Sequence, residues 1–540
     1  MTAARRHEGY ALISDYAVLG DGRTTALAAS DGRIDWWAIP TLDAPPVCAA
    51  ILDTGGGGYF ALAPEDPADV SRRYLPGTNV LETTFATRAG TVRVTDALNV
   101  GSAGRLPWTE LARRVEGLSG EVAMRWEFRP GHRFRQARPW VTLHGQTPVV
   151  TDGDQNIALI VEGAENGQVA AHHVSGGLLV RPGEQVTIAA VATDHEPVVL
   201  PLPSDAGNRL DRTIDAWHRW SGLVDYQGPW ADAVTRSALA LKTLLYEPGG
   251  AIAAAATTSL PEAIGGPKNY DYRYAWVRDS SFTLDAFIRL GLREEVHAAV
   301  SWLLNAVRRT APDIHVFYSL DGQVVDGQAT IDMPGYRHSR PVRSGNGAAG
   351  QTQLGTYGDL FDTVARYVSA GHVLDQATGR MLADLADHCC DIWTHEDSGL
   401  WELSQYEHYT ISKIGCWVAL DRAASMAGAG LLPAAHAPRW RQEAADITRW
   451  VHAHCWSQAK QSYTFYAGTD DLDAAVLLAG RTGFDRGERL ASTIDAVTAE
   501  LGHGSFVYRY TGMDREENAF VAVGLVGRHR KGEALRAHLA

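Results

Sequence analysis

The sequence predicts a β-sandwich followed by an all-helical domain, and three observations carry that expectation. Up to about residue 200, short alternating apolar–polar runs are separated by turn dipeptides. From about residue 228, apolar residues recur every three or four positions instead. The 540 residues allow two to four domains at roughly 100–200 residues each. The division expected is a sandwich over 1–203, a helical linker over 204–227 and a helical domain over 228–540.

In chain order, strands are expected at Tyr10–Ala17, Val80–Arg88, Thr91–Val100, Glu121–Phe128, Ala158–Val161 and Gln185–Thr193. Asp21-Gly22, Asp31-Gly32 and Asp152-Gly153 supply hairpin turns, because Gly accepts the positive φ that tight turns require. The Gly55–Gly58 run lacks a following Lys-Ser/Thr or helix, so it is a loop and not a phosphate cradle. The linker Asp205–Gly222 has helical spacing at Leu210, Ile214 and Trp217. Beyond it about eleven helices are expected, in WADAVTRSALALKTLLYE, DSSFTLDAFIRLGL, EEVHAAVSWLLNAVRR, GDLFDTVARYVSAG, DQATGRMLADLADHCCDIW, YTISKIGCWVALDRAASMA, RWRQEAADITRWVHAHCW, DDLDAAVLLAG (470–480), RGERLASTIDAVTAEL, EENAFVAVGLVG and KGEALRAHL. Long loops at Gly249–Tyr274, Pro312–Gly350 and His395–His408 interrupt them; connections of that length commonly carry function.

Composition narrows the chemistry. With 49 basic and 63 acidic residues the net charge is −14, which argues against a nucleic-acid partner, since phosphates need clustered Lys and Arg. The first twenty residues hold no continuous apolar stretch, and no run could span a bilayer, so a cytoplasmic protein without membrane contact is expected. Five cysteines at unpatterned spacings are expected to be buried thiols. Sixteen tryptophans suit a site that stacks on sugar or base rings. No metal-binding, nucleotide-binding or serine-nucleophile motif occurs, and the adjacent His172 and His173 read as surface residues, so neither metal nor cofactor is expected.

What remains is carboxylates beside aromatics and Arg, in YDYRYAWVRDSSFTLDAF, EDSGLWELSQYEHYTISKIGCWVALDRA and MDREENAF. Trp276, Arg278 and Asp279 precede a helix. There Asp279 either caps the helix with Arg278 paired to it, or both fork onto sugar hydroxyls while Trp276 walls the ring. Glu402, between Leu and Trp, is either a loop residue turned to water or an acid kept protonated by apolar walls. Glu516 and Glu517 open a helix, where carboxylates are ordinary. Two distant loop-borne carboxylates are nevertheless what an inverting glycosidase needs. One protonates the leaving oxygen and the other activates water, with the pair about 6.5–9.5 Å apart.

These segments, with DYAVLGDGRTTALAASDGRIDWWAIPTLDAPPVCAAILD, RRYLPGTNVLETTF, TTSLPE and GYRHSRPVRSGNGAAGQTQL, resemble glycoside hydrolase family 15, the glucoamylase and bacterial trehalase family. The resemblance covers nearly the whole chain. It implies a β-sandwich joined by a helical linker to an (α/α)6 barrel whose loops form the pocket. It further implies Glu402 as general acid, Glu517 as general base, and Arg278 and Asp279 as the grip on the terminal glucose. Trp276 and Trp401 would be pocket aromatics, and Arg343 would lie near the same pocket. The activity implied is anomer-inverting, exo-acting hydrolysis of an α-glucoside or α-glucan, releasing β-glucose from the non-reducing end. The alternative is an α,α-trehalase; a silent glucan-binding protein and a glycan phosphorylase are rivals, disfavoured by the retention of Glu402 and Glu517.

Leu403-Ser404-Gln405-Tyr406-Glu407 stands where family members have Val-Arg-Gly and a basic stretch. Gly355 and Asp359 stand in place of Asp and Glu, and Arg515 and Asn518 flank Glu516-Glu517 where the family has Gly. These departures bear on the leaving group, and a small disaccharide is expected to serve at least as well as starch. The barrel is expected to be short at its C-terminus, either truncated or with its open seam covered by forming a homo-oligomer.

Overall fold

The computed structural model describes residues 6–100, 106–136, 138–161, 168–504 and 506–513. The chain divides into two compact units. The first comprises Met1–Ala275, Arg289–Glu295 and Gln328–Asn346, and the second comprises Trp276–Ile288, Val296–Gly327 and Gly347–Ala540.

The first unit holds two eight-stranded sheets. One runs, in spatial order, Ala17–Gly20, Thr25–Ala28, Arg33–Ala38, Tyr59–Pro64, Val122–Arg129, His173–Val180 and Gln168–Ala170, with Pro46–Cys48 paired beside the third strand. The other runs Trp140–His144, Thr147–Asp152, Gln155–Val161, Gln185–Asp194, Thr109–Gly120, Gly90–Leu98, Leu81–Ala86 and Asp69–Tyr74. Inward-facing residues of both, among them Trp37, Phe60, Trp126, Val94, Leu111 and Ile188, share one buried cluster, which makes the pair a sandwich. A buried arginine bridges it. Arg113 is bonded to Asp96 on its own sheet and donates to the carbonyls of Gly32 and Phe60 on the other, so the guanidinium is satisfied away from water.

Gly22, Gly32 and Gly153 all take positive φ at hairpin turns, as expected. The expected strand Tyr10–Ala17 does not form. A 3-10 turn occupies Ile13–Asp15, because the Asp15 side chain accepts from the Ser30 amide at 2.8 Å and pins the chain there. Helices α1 (Pro203–Ser221) and α2 (Ala231–Leu244) bury Leu210, Trp217 and Leu239 against Val80, Ala97 and Ala112.

The helices that follow are α3 (Val277–Arg289), α4 (Arg293–Arg308), α5 (Gly355–Ser369), α6 (Gln376–Ile392), α7 (Thr410–Gly428), α8 (Ala437–His454), α9 (Leu478–Thr482) and α10 (Glu488–Leu501). Helix α7 is buried on nearly every side, as its lack of a polar face requires, and packs on α5 and α8. At the α5–α7 crossing, a Cβ on Gly358 would lie 2.5 Å from the Gly415 carbonyl oxygen, so the backbones touch. The helix expected at 470–480 forms only in part, as a 3-10 turn Ala474–Leu477 running into α9. Leu472 and Asp473 stay extended because they bond to residues 509–511. The last two expected helices, and Glu516 and Glu517 with them, lie outside the described residues. All five cysteines are free and buried. Among the described residues no helix is long and apolar enough to cross a membrane.

Candidate active site

The sequence around Trp276 folds so that the indole, the guanidinium of Arg278 and the carboxyl of Asp279 gather at the start of α3. Trp276 is buried and stacks on Phe317, with ring centroids 4.3 Å apart. The Val277 amide bonds to the Val316 carbonyl and fixes the approach to the helix.

Glu402 comes to the same place from the loop between α6 and α7. That loop is tied down at several points. Lys413, buried on α7, donates to the carbonyls of Trp393 and His395. Asp397 pairs its backbone with Glu407 and accepts from the Leu354 amide at 2.8 Å. Glu402 itself has φ +61°, a left-handed conformation costing a non-glycine residue about 1–3 kcal/mol. Its carbonyl is held there by Gln351 Nε2 at 3.0 Å, and the next amide, of Leu403, bonds to Ser398.

The carboxyl of Glu402 is asymmetric. Trp276 Nε1 donates to Oε1 at 2.8 Å and Arg278 Nη2 donates to the same oxygen at 3.3 Å. Oε2 has no donor among the described residues. Arg278 also donates to the Leu400 carbonyl at 2.6 Å, and its Nη2 lies 3.2 Å from Asp279 Oδ2. The Glu402 side chain is 19% exposed, so solutes reach it while most of its water is stripped away. Trp401, on the other side, donates from Nε1 to Asp473 Oδ1 at 2.9 Å and has the Arg509 guanidinium 5.2 Å from its ring.

The structure thus brings Trp276, Arg278, Asp279 and Glu402 together, with Trp401 alongside in the same unit. Arg343 belongs to the first unit. There it donates to the carbonyls of Pro267 and Asn269 and lies over the Tyr270 ring.

Three polar residues of the second unit were not among the sequence candidates for the site. Gln351 holds the strained Glu402 backbone. Asp359 on α5 lines a narrow cavity of about 70 Å³ beside Arg278 and Arg481. Burial pushes its carboxyl up to about 7 against the pull of those two cations. Asp473 is fully buried, and burial pushes it up to about 7 as well. For Asp359 and Asp473 the available signal was a polar residue inside an apolar run, where a cap would have looked the same, and for Gln351 it was its place in GYRHSRPVRSGNGAAGQTQL. Among the described residues no group of three or more His, Cys, Asp or Glu could hold a metal ion.

A two-sheet unit, a helical unit, and a loop-borne carboxyl set between an indole and a guanidinium are the parts a carbohydrate-cleaving enzyme requires. The comparisons narrow this. Residues 228–521 match the profile of glycosyl hydrolases family 15, and residues 8–214 match that of the trehalase-like N-terminal domain. A trehalase of Thermoplasma volcanium is 30% identical over 525 residues, covering 95% of this chain and 83% of its own. A trehalase of Mycolicibacterium smegmatis is 32% identical over 562 residues, covering 94% and 81%. A bacterial glucoamylase crystallised with acarbose superposes with a TM-score of 0.67 at 14% identity, covering 95% of this chain and 83% of its own. This chain belongs to glycosyl hydrolase family 15.

Proposed function

We propose that this protein is an inverting α,α-trehalase, with its helical unit completing an (α/α)6 barrel. One observation carries the choice of substrate. Sequence similarity to curated trehalases runs through both units, at about a third of positions and over more than nine-tenths of the chain. The likeness to glucoamylase is one of fold. Trehalose therefore replaces the α-glucan end as the first reading, and exo-acting hydrolysis of other α-glucosides becomes the second.

In this mechanism Glu402 is the general acid. Oε1 is committed to Trp276 and Arg278, so Oε2 carries the proton and passes it to the glycosidic oxygen as the C–O bond breaks. Glu517 takes a proton from the water that attacks the anomeric carbon from the opposite face. Arg278 and Asp279 hold the hydroxyls of the attacked glucose, and Trp276 walls its ring. The products are one β-glucose, from the attacked ring, and one α-glucose, from the leaving ring.

The test is glucose release from trehalose, maltose, isomaltose, kojibiose, nigerose and soluble starch, with and without phosphate. Trehalose is expected to be used best, phosphate is expected to make no difference, and NMR in the first minutes is expected to show equal α- and β-glucose. Glu402→Gln and Glu517→Gln should each cost about two or more orders of magnitude in turnover. Preference for maltose or starch would move the assignment to the second reading, and α-glucose alone from trehalose would end the inverting mechanism.

A further inference from the structure

We propose that Asp473 is a positioning residue for proton donation by Glu402, acting through the indole of Trp401. This rests on Glu402 being the general acid.

The residue next to the acid is clamped from outside its own loop. Trp401 Nε1 donates to Asp473 Oδ1 at 2.9 Å, and the Arg509 guanidinium lies over the ring. Asp473 in turn is fixed on both sides. Its Oδ1 also accepts from the Ala475 amide at 2.8 Å. Its backbone forms an antiparallel bridge with Tyr510, flanked by bonds from Ala474 to the Arg509 carbonyl and from Thr511 to the Leu472 carbonyl. Leu472 adds a bond from its amide to Thr511 Oγ1. The acid's neighbour is therefore anchored to a short ladder between residues 472–474 and 509–511.

A helix cap alone does not account for this arrangement. A cap needs one oxygen at the helix start and is satisfied by Ser, Thr or Asn with its side chain half in water. Asp473 is entirely buried, and its Oδ2 has no hydrogen-bond partner among the described residues. Burying a carboxyl with one oxygen unpaired is costly, and burial pushes its pKa up to about 7. What the carboxyl supplies is an oxygen that receives an amide N–H and the indole N–H at once. That bond sets the Trp401 ring, and with it the direction of the one peptide that leads into Glu402. Glu402 is already in a left-handed conformation held by single bonds to neighbouring loops, so a swing of Trp401 moves its carboxyl. A small displacement of a catalytic group is enough to cost on the order of 100-fold in rate.

The experiment uses two substrates that differ in their need for an acid. Trehalose, or whichever glucoside the panel above shows to be best, requires protonation of the departing oxygen. α-D-Glucopyranosyl fluoride releases fluoride without it. Asp473→Ala and Trp401→Phe should each lower kcat on the glucoside by roughly 10–100-fold, with KM changed less than about threefold, and lower fluoride hydrolysis by less than about threefold. Asp473→Asn keeps an oxygen for both N–H groups and should restore the glucoside rate to within about threefold of wild type. The double variant should be no worse than the poorer single one, since both break the same link.

Equal losses on both substrates in Asp473→Ala and Trp401→Phe would overturn the proposal, as would failure of Asp473→Asn to rescue. If Asp473→Ala does not fold, Trp401→Phe and Asp473→Asn decide on the same criteria. Glu402→Gln is the control that separates the two readings. A leaving-group split in Glu402→Gln but not in the Asp473 and Trp401 variants ends the positioning role alone. No split in Glu402→Gln ends the general-acid reading, and the role of Asp473 with it.

Discussion

Among the described residues Glu402 receives two donors on one oxygen and none on the other, and that imbalance is the feature of the site most open to a direct test. Arg278 contributes twice, since its fork spans the Leu400 carbonyl and Glu402 Oε1 and so sets the carboxyl relative to its own loop. A lysine offers one ammonium and no planar fork, so it cannot keep both bonds in place. Losing a hydrogen bond to a charged group costs about 1.5–3 kcal/mol, or roughly 10–150-fold. Arg278→Lys should lower kcat/KM by about that factor on every α-glucoside tried, which steady-state kinetics on trehalose and maltose would measure. Trp276→Phe should do less. It removes one of the two donors but keeps the stacking on Phe317, so a loss near tenfold, the lower end of that range, is expected.

Among the elements, the α5–α7 crossing is where sequence and packing meet most tightly. A Cβ on Gly415 would sit 2.6 Å from the Gly355 Cα, whereas one on Gly355 would find only an ordinary contact, 3.8 Å from the Ser412 Cα. Gly415→Ala must push backbone against backbone, and overpacking of this kind costs about 1–3 kcal/mol. Gly355→Ala should be near neutral. Urea titrations of the two variants would show the contrast as a lowered midpoint for the first alone. Much of this architecture could be read in advance. The helical period appears wherever one face is buried, so nine of the expected helices up to Leu501 coincide with observed helical segments, and Asp-Gly turns mark the hairpins. The misreadings have a common cause, which is long-range bonding. Asp15 is held by Ser30, and Leu472 and Asp473 are held by residues 509–511, partners that no local pattern reveals. At the site, Trp276, Arg278 and Glu402 could be singled out because aromatics and Arg beside a carboxylate are visible in one line of sequence. Gln351 and Asp473 could not, since each acts on a residue dozens of positions away.

At the scale of the whole chain, the balance of charge sets how stability should respond to pH. The chain carries −14, and Asp359, Asp397 and Asp473 are carboxyls that burial pushes up to about 7, 6 and 7 respectively. In the unfolded chain such groups ionise near pH 4. A carboxyl whose folded pKa is raised favours the folded state fully only below its unfolded pKa. As pH climbs from about 4 to about 7 the unfolded chain gives up the proton first, and stability falls; above about 7 the penalty is constant. Asp473→Asn isolates this effect, because the amide has the same shape, keeps the acceptor oxygen and cannot ionise. Its melting temperature should match that of wild type near pH 4 and rise above it progressively through pH 7. At pH 8 the advantage should be roughly 1–2 °C, corresponding to one or two kcal/mol in a chain of 540 residues. Calorimetry of the two proteins from pH 4 to 8 would measure the difference. A variant less stable than wild type at pH 8 would mean that the ionised Asp473 carboxylate stabilises the folded protein, against the burial penalty argued here.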